Sequence, residues 1–237
     1  MTPHTVSAPI PLRSRQQSKI RENKPMRSKR MIRTVVACAA MTAGCNLLTP
    51  LIFVGEHKKK VSPEFDKLQN SRVAVLVWMD QVVLFDYPYA RFELCTYISD
   101  KLAAEMNQRD LGTELVDPRD MDDFLQKNID AQIDPKAVAR NFDSDYVIYV
   151  EVVEFQVRDP DEPQFLRGRI NASVTVFDMH ADPDRPGRFE LAPVLSQYPD
   201  GVPVLLNANN SPLVREQLYR KFAEQVARKF YEHTVEL

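Results

Sequence analysis

Arg72-Val-Ala-Val-Leu-Val-Trp-Met79 is the stretch that decides the fold. Every side chain after Arg72 is apolar and three are β-branched valines, the pattern of a central strand buried on both faces. Residues 82–85 (Val-Val-Leu-Phe) read as a continuation of that strand or a partner to it. Beyond them the apolar period changes. Across residues 89–108, Cys95, Ile98, Leu102 and Met106 share one stripe, with Asp100, Lys101, Asn107 and Gln108 opposite, as in an amphipathic helix. Residues 113–116 form a short strand. Asp117-Pro118 and Asp134-Pro135 each place a capping carboxylate before a first-turn proline, which opens one helix carrying Met121, Phe124 and Leu125 and another carrying Ala137, Val138 and Phe142.

The chain then turns to strands. Residues 145–157 are a long apolar run, and residues 169–178 alternate Ile170, Ala172, Val174 and Val176 with Asn171, Ser173 and Thr175, so one sheet face is covered and the other wet. A polar turn over 181–188 leads to a strand over 189–197, a hairpin. Ser211-Pro212 opens a last helix to about His233, with Val214, Leu218, Phe222, Val226 and Phe230 inward. The expected fold is α/β, a mixed β-sheet with an antiparallel meander and helices packed on it as an αβ sandwich.

Composition removes several chemistries. The six glycines among 237 residues lie at 44, 55, 112, 168, 187 and 201, too far apart for a dinucleotide fingerprint or a phosphate-cradling loop. No Gly has Ser two positions later, so there is no nucleophile elbow. Histidines at 4, 57, 180 and 233 and cysteines at 38, 45 and 95 provide neither a metalloprotease helix nor a zinc-binding cysteine pair.

The net charge of −2 conceals an asymmetry: residues 1–33 hold nine basic residues and one acid, Glu22, while the other 22 basic and 32 acidic residues sum to −10. The basic segment runs into a small-residue apolar stretch ending Thr42-Ala43-Gly44-Cys45, which completes the three parts of a secretory signal rather than a nucleic-acid arm. This resembles a bacterial lipoprotein signal, with Thr42 where that family usually has Leu. The resemblance implies cleavage before Cys45 and lipid on its thiol. Met26, followed by Arg27, Lys29, Arg30 and Arg33, suits the physiological start. The rival reading is an uncleaved anchor over the 22 charge-free residues 34–55, which Asn46, Thr49, Pro50 and the triple lysine 58–60 oppose. The expected organisation is a signal peptide over 1–44, lipidated Cys45 with a flexible tether to residue 70, and one periplasmic α/β domain over 71–237.

Within that domain, Val73-Ala74-Val75-Leu76-Val77, Thr113-Glu114-Leu115-Val116-Asp117 and the segment from Ala137 to Ile148 resemble the domain shared by curli-assembly lipoproteins, lipoprotein activators of penicillin-binding proteins and the amino-terminal domain of the Tol translocation protein. The chain departs from that pattern at Asn141-Phe142 and at Glu151, and lacks an insertion for the curli exporter's pore hairpins. The resemblance implies a binding or scaffolding role instead of a channel.

The functional expectation is a lipid-anchored envelope protein, non-enzymatic, that binds another envelope protein in an assembly or accessory role. Its membrane partner is reached through Cys45, on the periplasmic side; Asn46 after the Cys favours the outer membrane. No nucleic acid, metal or cofactor is expected. The partner surface is sought at Trp78, Phe85, Tyr87 and Tyr89, the densest aromatic cluster. Two alternatives remain. A hydrolase would use Glu151 or Glu154, carboxylates inside an apolar strand run, and would bring two carboxylates together in a cleft. A small-ligand sensor would need a closed apolar pocket. The acids Asp117, Asp120, Asp122 and Asp123 read as helix-start chemistry before they read as a cation site, and Cys95 as a core residue.

Overall fold

The computed structural model describes residues 58–159, 161–180, 187–207 and 210–236. The expected signal peptide, start at Met26 and lipidation at Cys45 lie outside them. In chain order the described elements are β1 (Lys58–Val61), β2 (Arg72–Met79), α1 (Gln81–Asp86), α2 (Ala90–Gln108), β3 (Glu114–Leu115), α3 (Pro118–Lys127), a 3-10 turn (Ile129–Ile133), α4 (Pro135–Phe142), β4 (Tyr146–Arg158), β5 (Phe165–Asp178), β6 (Gly187–Tyr198), β7 (Val204–Leu205), α5 (Asn210–Ala227), a second 3-10 turn (Arg228–Phe230) and β8 (His233–Glu236). The fold is α/β. The main sheet runs β3-β2-β4-β5-β6, with β7 on β5, and a separate two-stranded sheet joins β1 to β8. β2 is parallel to β3 and β4; the meander from β4 to β6 is antiparallel.

Register assigns the two faces. Val73, Val75 and Val77 lie abreast of Tyr146, Ile148 and Val150, and these in turn of Asp178, Val176 and Val174. This is the face under α2 and α5, because Gly168, on the same side of β5 as Val174 and Val176, meets Leu218 of α5. α2 and α5 run side by side in the same direction: Glu93 faces Arg215 at 3.9 Å and, one turn on, Tyr97 faces Tyr219 with ring centroids 5.8 Å apart. On the opposite face, Ala74, Leu76 and Val147 are fully buried because α4 and the first 3-10 turn cross β2 and β4 there. Farther along that face Tyr149, Glu151, Asn171 and Ser173 are only partly covered. β4 absorbs the change from apolar run to mixed surface with a bulge at Val153, which is exposed.

Local chemistry sets the helix starts. Asp117 accepts from Arg119 N at 2.8 Å and Asp134 from Lys136 N at 3.0 Å, each followed by Pro. These bonds satisfy amides that the helix leaves without partners.

Three expectations are corrected. Residues 82–85 are helical, because Asp80 caps α1 by accepting from Val82 N at 2.7 Å. The chain leaves helix after Phe230, and β8 pairs with β1. The tether expected to reach residue 70 is packed structure from residue 58 on. Phe65 and Leu68 sit in the core, Thr113 Oγ1 donates to Leu68 O at 2.7 Å, and Lys229 Nζ meets Glu64 Oε1 at 2.9 Å.

Cys95 lies on the buried stripe of α2, and its Sγ donates to Val75 O at 3.3 Å. Burial pushes its thiol up to about 12 from an ordinary 9.0, so the thiolate is scarce at neutral pH. Maleimide labelling followed by peptide mapping should leave Cys95 unmodified in the folded protein at pH 8 and modify it on denaturation. Because the folded value exceeds the unfolded one, this thiol's contribution to stability is complete below pH 9 and declines above it as the unfolded thiol ionises first. Rapid labelling under native conditions would contradict the assignment.

Candidate functional surface

β2 and β4 are parallel, so both end at the same edge of the domain, and α1 begins directly beyond β2. α1 divides its apolar residues between two sides. Val83, Leu84 and Tyr87 pack against the core, and Tyr87 meets Phe155 of β4 edge-on with centroids 5.1 Å apart. Val82, Phe85 and Tyr89 point away and are 75%, 88% and 72% exposed. Three large exposed apolar side chains close together in the chain, two on α1 and Tyr89 at the start of α2, mark an interaction site more than ordinary surface does.

The structure therefore splits the aromatic cluster. Phe85 and Tyr89 stand on the exposed stripe, Tyr87 turns inward, and Trp78 lies half-buried on the open sheet face abreast of Glu151. Sequence reading missed Val82, whose three-residue spacing to Phe85 becomes visible once residues 81–86 are helical. It also missed exposed Val202, Leu205 and Leu213. β7 pairs with the start of β5 beside the end of β4, and Leu213 sits in the first turn of α5 near the Glu93–Arg215 contact, so these residues belong to the same end.

The opposite end is where β1 brings the chain in. There Lys60 pairs with Glu232 at 2.9 Å, and the Arg109 guanidinium lies over the Tyr231 ring at 4.1 Å. α2 links the two ends, and its 19 residues correspond to about 28 Å.

The hydrolase candidates are engaged separately. Glu151 Oε2 accepts from Ser173 Oγ at 3.4 Å, and Glu154 faces Arg169 at 3.6 Å. Both stand on the open sheet face, and neither lines any of the five cavities described. Those cavities do not match the sensor expectation either. The roomiest, about 420 Å³ between α2 and α5, is an open groove with Asp100, Lys101, Arg220 and Glu224 in its walls, whereas the apolar slot beside Val77 and Cys95 holds only about 10 Å³. Two of the four acids are engaged locally: Asp117 caps α3, and Asp122 faces Arg91 at 3.4 Å and accepts from Gln126 Nε2 at 2.6 Å. Among the described residues no three His, Cys, Asp or Glu side chains are grouped to hold a metal ion, and no helix is long and apolar enough to cross a membrane.

No protein-family model matches the chain, and no curated protein matches its sequence. Solved structures are similar at a distance. The PelC dodecamer from Paraburkholderia phytofirmans is 11% identical over 70% of this chain and 92% of that one, with a TM-score of 0.36. Lipoprotein GNA1162 from Neisseria meningitidis is 15% identical over 66% and 97%, with a TM-score of 0.35. A minor lipoprotein from Acinetobacter baumannii is 11% identical over 67% and 90%, with a TM-score of 0.31. Likeness at this level transfers no property of those proteins to this chain.

Proposed function

We propose that the chain is a lipid-anchored, non-enzymatic envelope protein that binds another envelope protein through the stripe of Val82, Phe85 and Tyr89. Cys45 carries the lipid, and residues 46–57 lead to β1. The outer membrane is the anchoring surface, on its periplasmic side. The observation that carries the reading is the exposed apolar stripe at the end of the domain opposite β1, which leaves it clear of the chain's point of entry. Dual acylation of one Cys provides the stable attachment that a single chain does not.

Two measurements test the two halves. Cys45→Ala should move the protein from the membrane fraction to soluble or unprocessed forms; unchanged fractionation and mass would remove the anchor. A photo-crosslinking residue at Phe85 should capture one discrete envelope protein in intact cells, and Val82→Ser should weaken that contact about thirtyfold, the scale of a central apolar anchor. Equal capture from exposed Gln126 on α3 would remove the stripe as the binding surface.

A further inference from the structure

The end of the domain that bears Val82, Phe85 and Tyr89 has charged neighbours, and those left without a partner are mostly of one sign. Tyr87 fixes α1 against Phe155 near the end of β4. From there the β4–β5 connection over 159–164 reaches the turn after β6 and the approach to α5: Arg167 Nη2 donates to Gly201 O at 3.3 Å, and Leu206 N to Gln164 O at 2.7 Å. Residues 80–93, 158–167 and 199–216 hold eight acids and four arginines. Arg91 faces Asp122 of α3, Arg167 lies 3.8 Å from Asp159 and Arg215 3.9 Å from Glu93, while Asp200 pairs with Lys221 and Glu216 with Arg220. That leaves Asp80, Asp86, Asp161 and Glu162 against Arg158, all five of them exposed. Asp80 spends an oxygen on the α1 cap, and Asp161 and Glu162 are held by their amides, which donate to Asp159 Oδ1, so none of the four carboxylates is tied to a cation. α3, reached from this end through Arg91, carries Asp120 and Asp123 against Arg119 and Lys127 and does not change the sign.

Apolar surface and charge stand in adjoining blocks. Val82, Phe85 and Tyr89 lie on the β2 side of this end and Val202, Leu205 and Leu213 on the β7 and α5 side, with Asp161 and Glu162 in the connection between β4 and β5. An anionic lipid surface would meet apolar anchors and like charge together. A protein surface with apolar side chains bordered by cations meets a match for both, in the usual arrangement of an apolar centre with a charged rim. Such a rim governs partner choice and association rate more than affinity. We infer, taking the stripe as the docking surface, that its partner presents a basic amphipathic segment. Apolar side chains of that segment cover Val82 and Phe85, and its Lys or Arg side chains reach Asp86, Asp161 and Glu162.

The test uses the processed protein held in phosphatidylcholine nanodiscs and three probes: an amphipathic helical peptide with leucines on one face and lysines on the other, the same peptide with glutamate for lysine, and phosphatidylglycerol vesicles. The lysine peptide should bind at least about tenfold more tightly than the glutamate peptide, and less tightly as salt is raised. Val82→Ser should weaken it about thirtyfold. The triple variant Asp86→Asn, Asp161→Asn, Glu162→Gln should weaken it about tenfold and flatten the salt dependence at an unchanged melting temperature, because these side chains are exposed and hold nothing in place. Equal affinity for the two peptides, no binding of the lysine peptide at about 1 mM, or undiminished affinity in the triple variant would overturn the inference. Flotation with the vesicles that Val82→Ser abolishes would overturn it too and make a lipid surface the occupant. The Phe85 crosslink separates the two failures: one discrete protein captured while the lysine peptide fails removes the basic partner and leaves the stripe, whereas no capture removes both.

Discussion

Leu218→Ala is expected to destabilise the domain by about 3 kcal/mol, near the middle of the cost of emptying a buried leucine site. Leu218 is fully buried on α5, where the helix packs on β5. That approach depends on Gly168. A Cβ built there would stand 2.7 Å from Leu218 Cδ2 and 3.4 Å from its Cγ, so β5 and α5 meet across a position that has room for no side chain. Gly168→Ala alone should therefore cost about 1–3 kcal/mol by overpacking. Combined, the changes are not additive: the new methyl occupies part of the space that the shortened side chain vacates. The double variant should be more stable than the two single losses predict, by about 1 kcal/mol or more of favourable coupling. In a domain of this size the Leu218→Ala loss corresponds to a fall in Tm of about 6–12 °C. Thermal unfolding of the four proteins in the cycle provides the check, and strict additivity would mean that Gly168 and Leu218 do not share this space.

That contact also shows what sequence can and cannot disclose. Leu218 was legible as a core residue from the 3.6 spacing of Val214, Leu218, Phe222 and Val226, all of them buried. Its partner was not, because nothing local in a strand marks which residue will face a helix some 50 positions later. The same division runs through the rest of the molecule. Asp-Pro starts are local chemistry, and both stand where residues 117 and 134 put them. Residues 82–85 were ambiguous because a short apolar run fits either period, and the Asp80 cap that decides the matter is a single bond. The pairing of β1 with β8 joins Lys58 to Glu236 across almost the whole described chain, and a strand beginning Lys-Lys-Lys has none of the composition that signals one. At the candidate surface, aromatic composition found Phe85 and Tyr89. It could not separate them from Tyr87, because Tyr87 and Tyr89 lie in the turn between α1 and α2, where no helical period assigns inward and outward.

Glu64→Ala should have the second large effect, because Glu64 holds the entering chain to the domain at two points. Its Oε1 meets Lys229 Nζ at 2.9 Å, and its Oε2 accepts from Ala192 N on the β6 edge at 2.7 Å. The backbone amides of Glu64 and Phe65 both donate to Lys229 O, at 2.8 and 3.1 Å, so the carboxylate and the main chain bind the same place. The Lys229 side chain is 7% exposed and that of Glu64 39%, so removing the acid strands a buried ammonium while the acid itself gave up little hydration to form the pair. Loss of one partner of a fully buried pair costs roughly 3–5 kcal/mol; with one member this open to water, about 2 kcal/mol is expected, or about 4–8 °C in Tm. Two further measurements separate the charge from the strap. Hydrogen exchange at the Ala192 amide should accelerate, since its acceptor is gone. Adding Lys229→Met should recover most of the stability, because an apolar side chain needs no partner in that site, but should leave Ala192 exchange fast. If Lys229→Met restores nothing, the cost of Glu64→Ala comes from the lost hold on β6 and not from the stranded lysine.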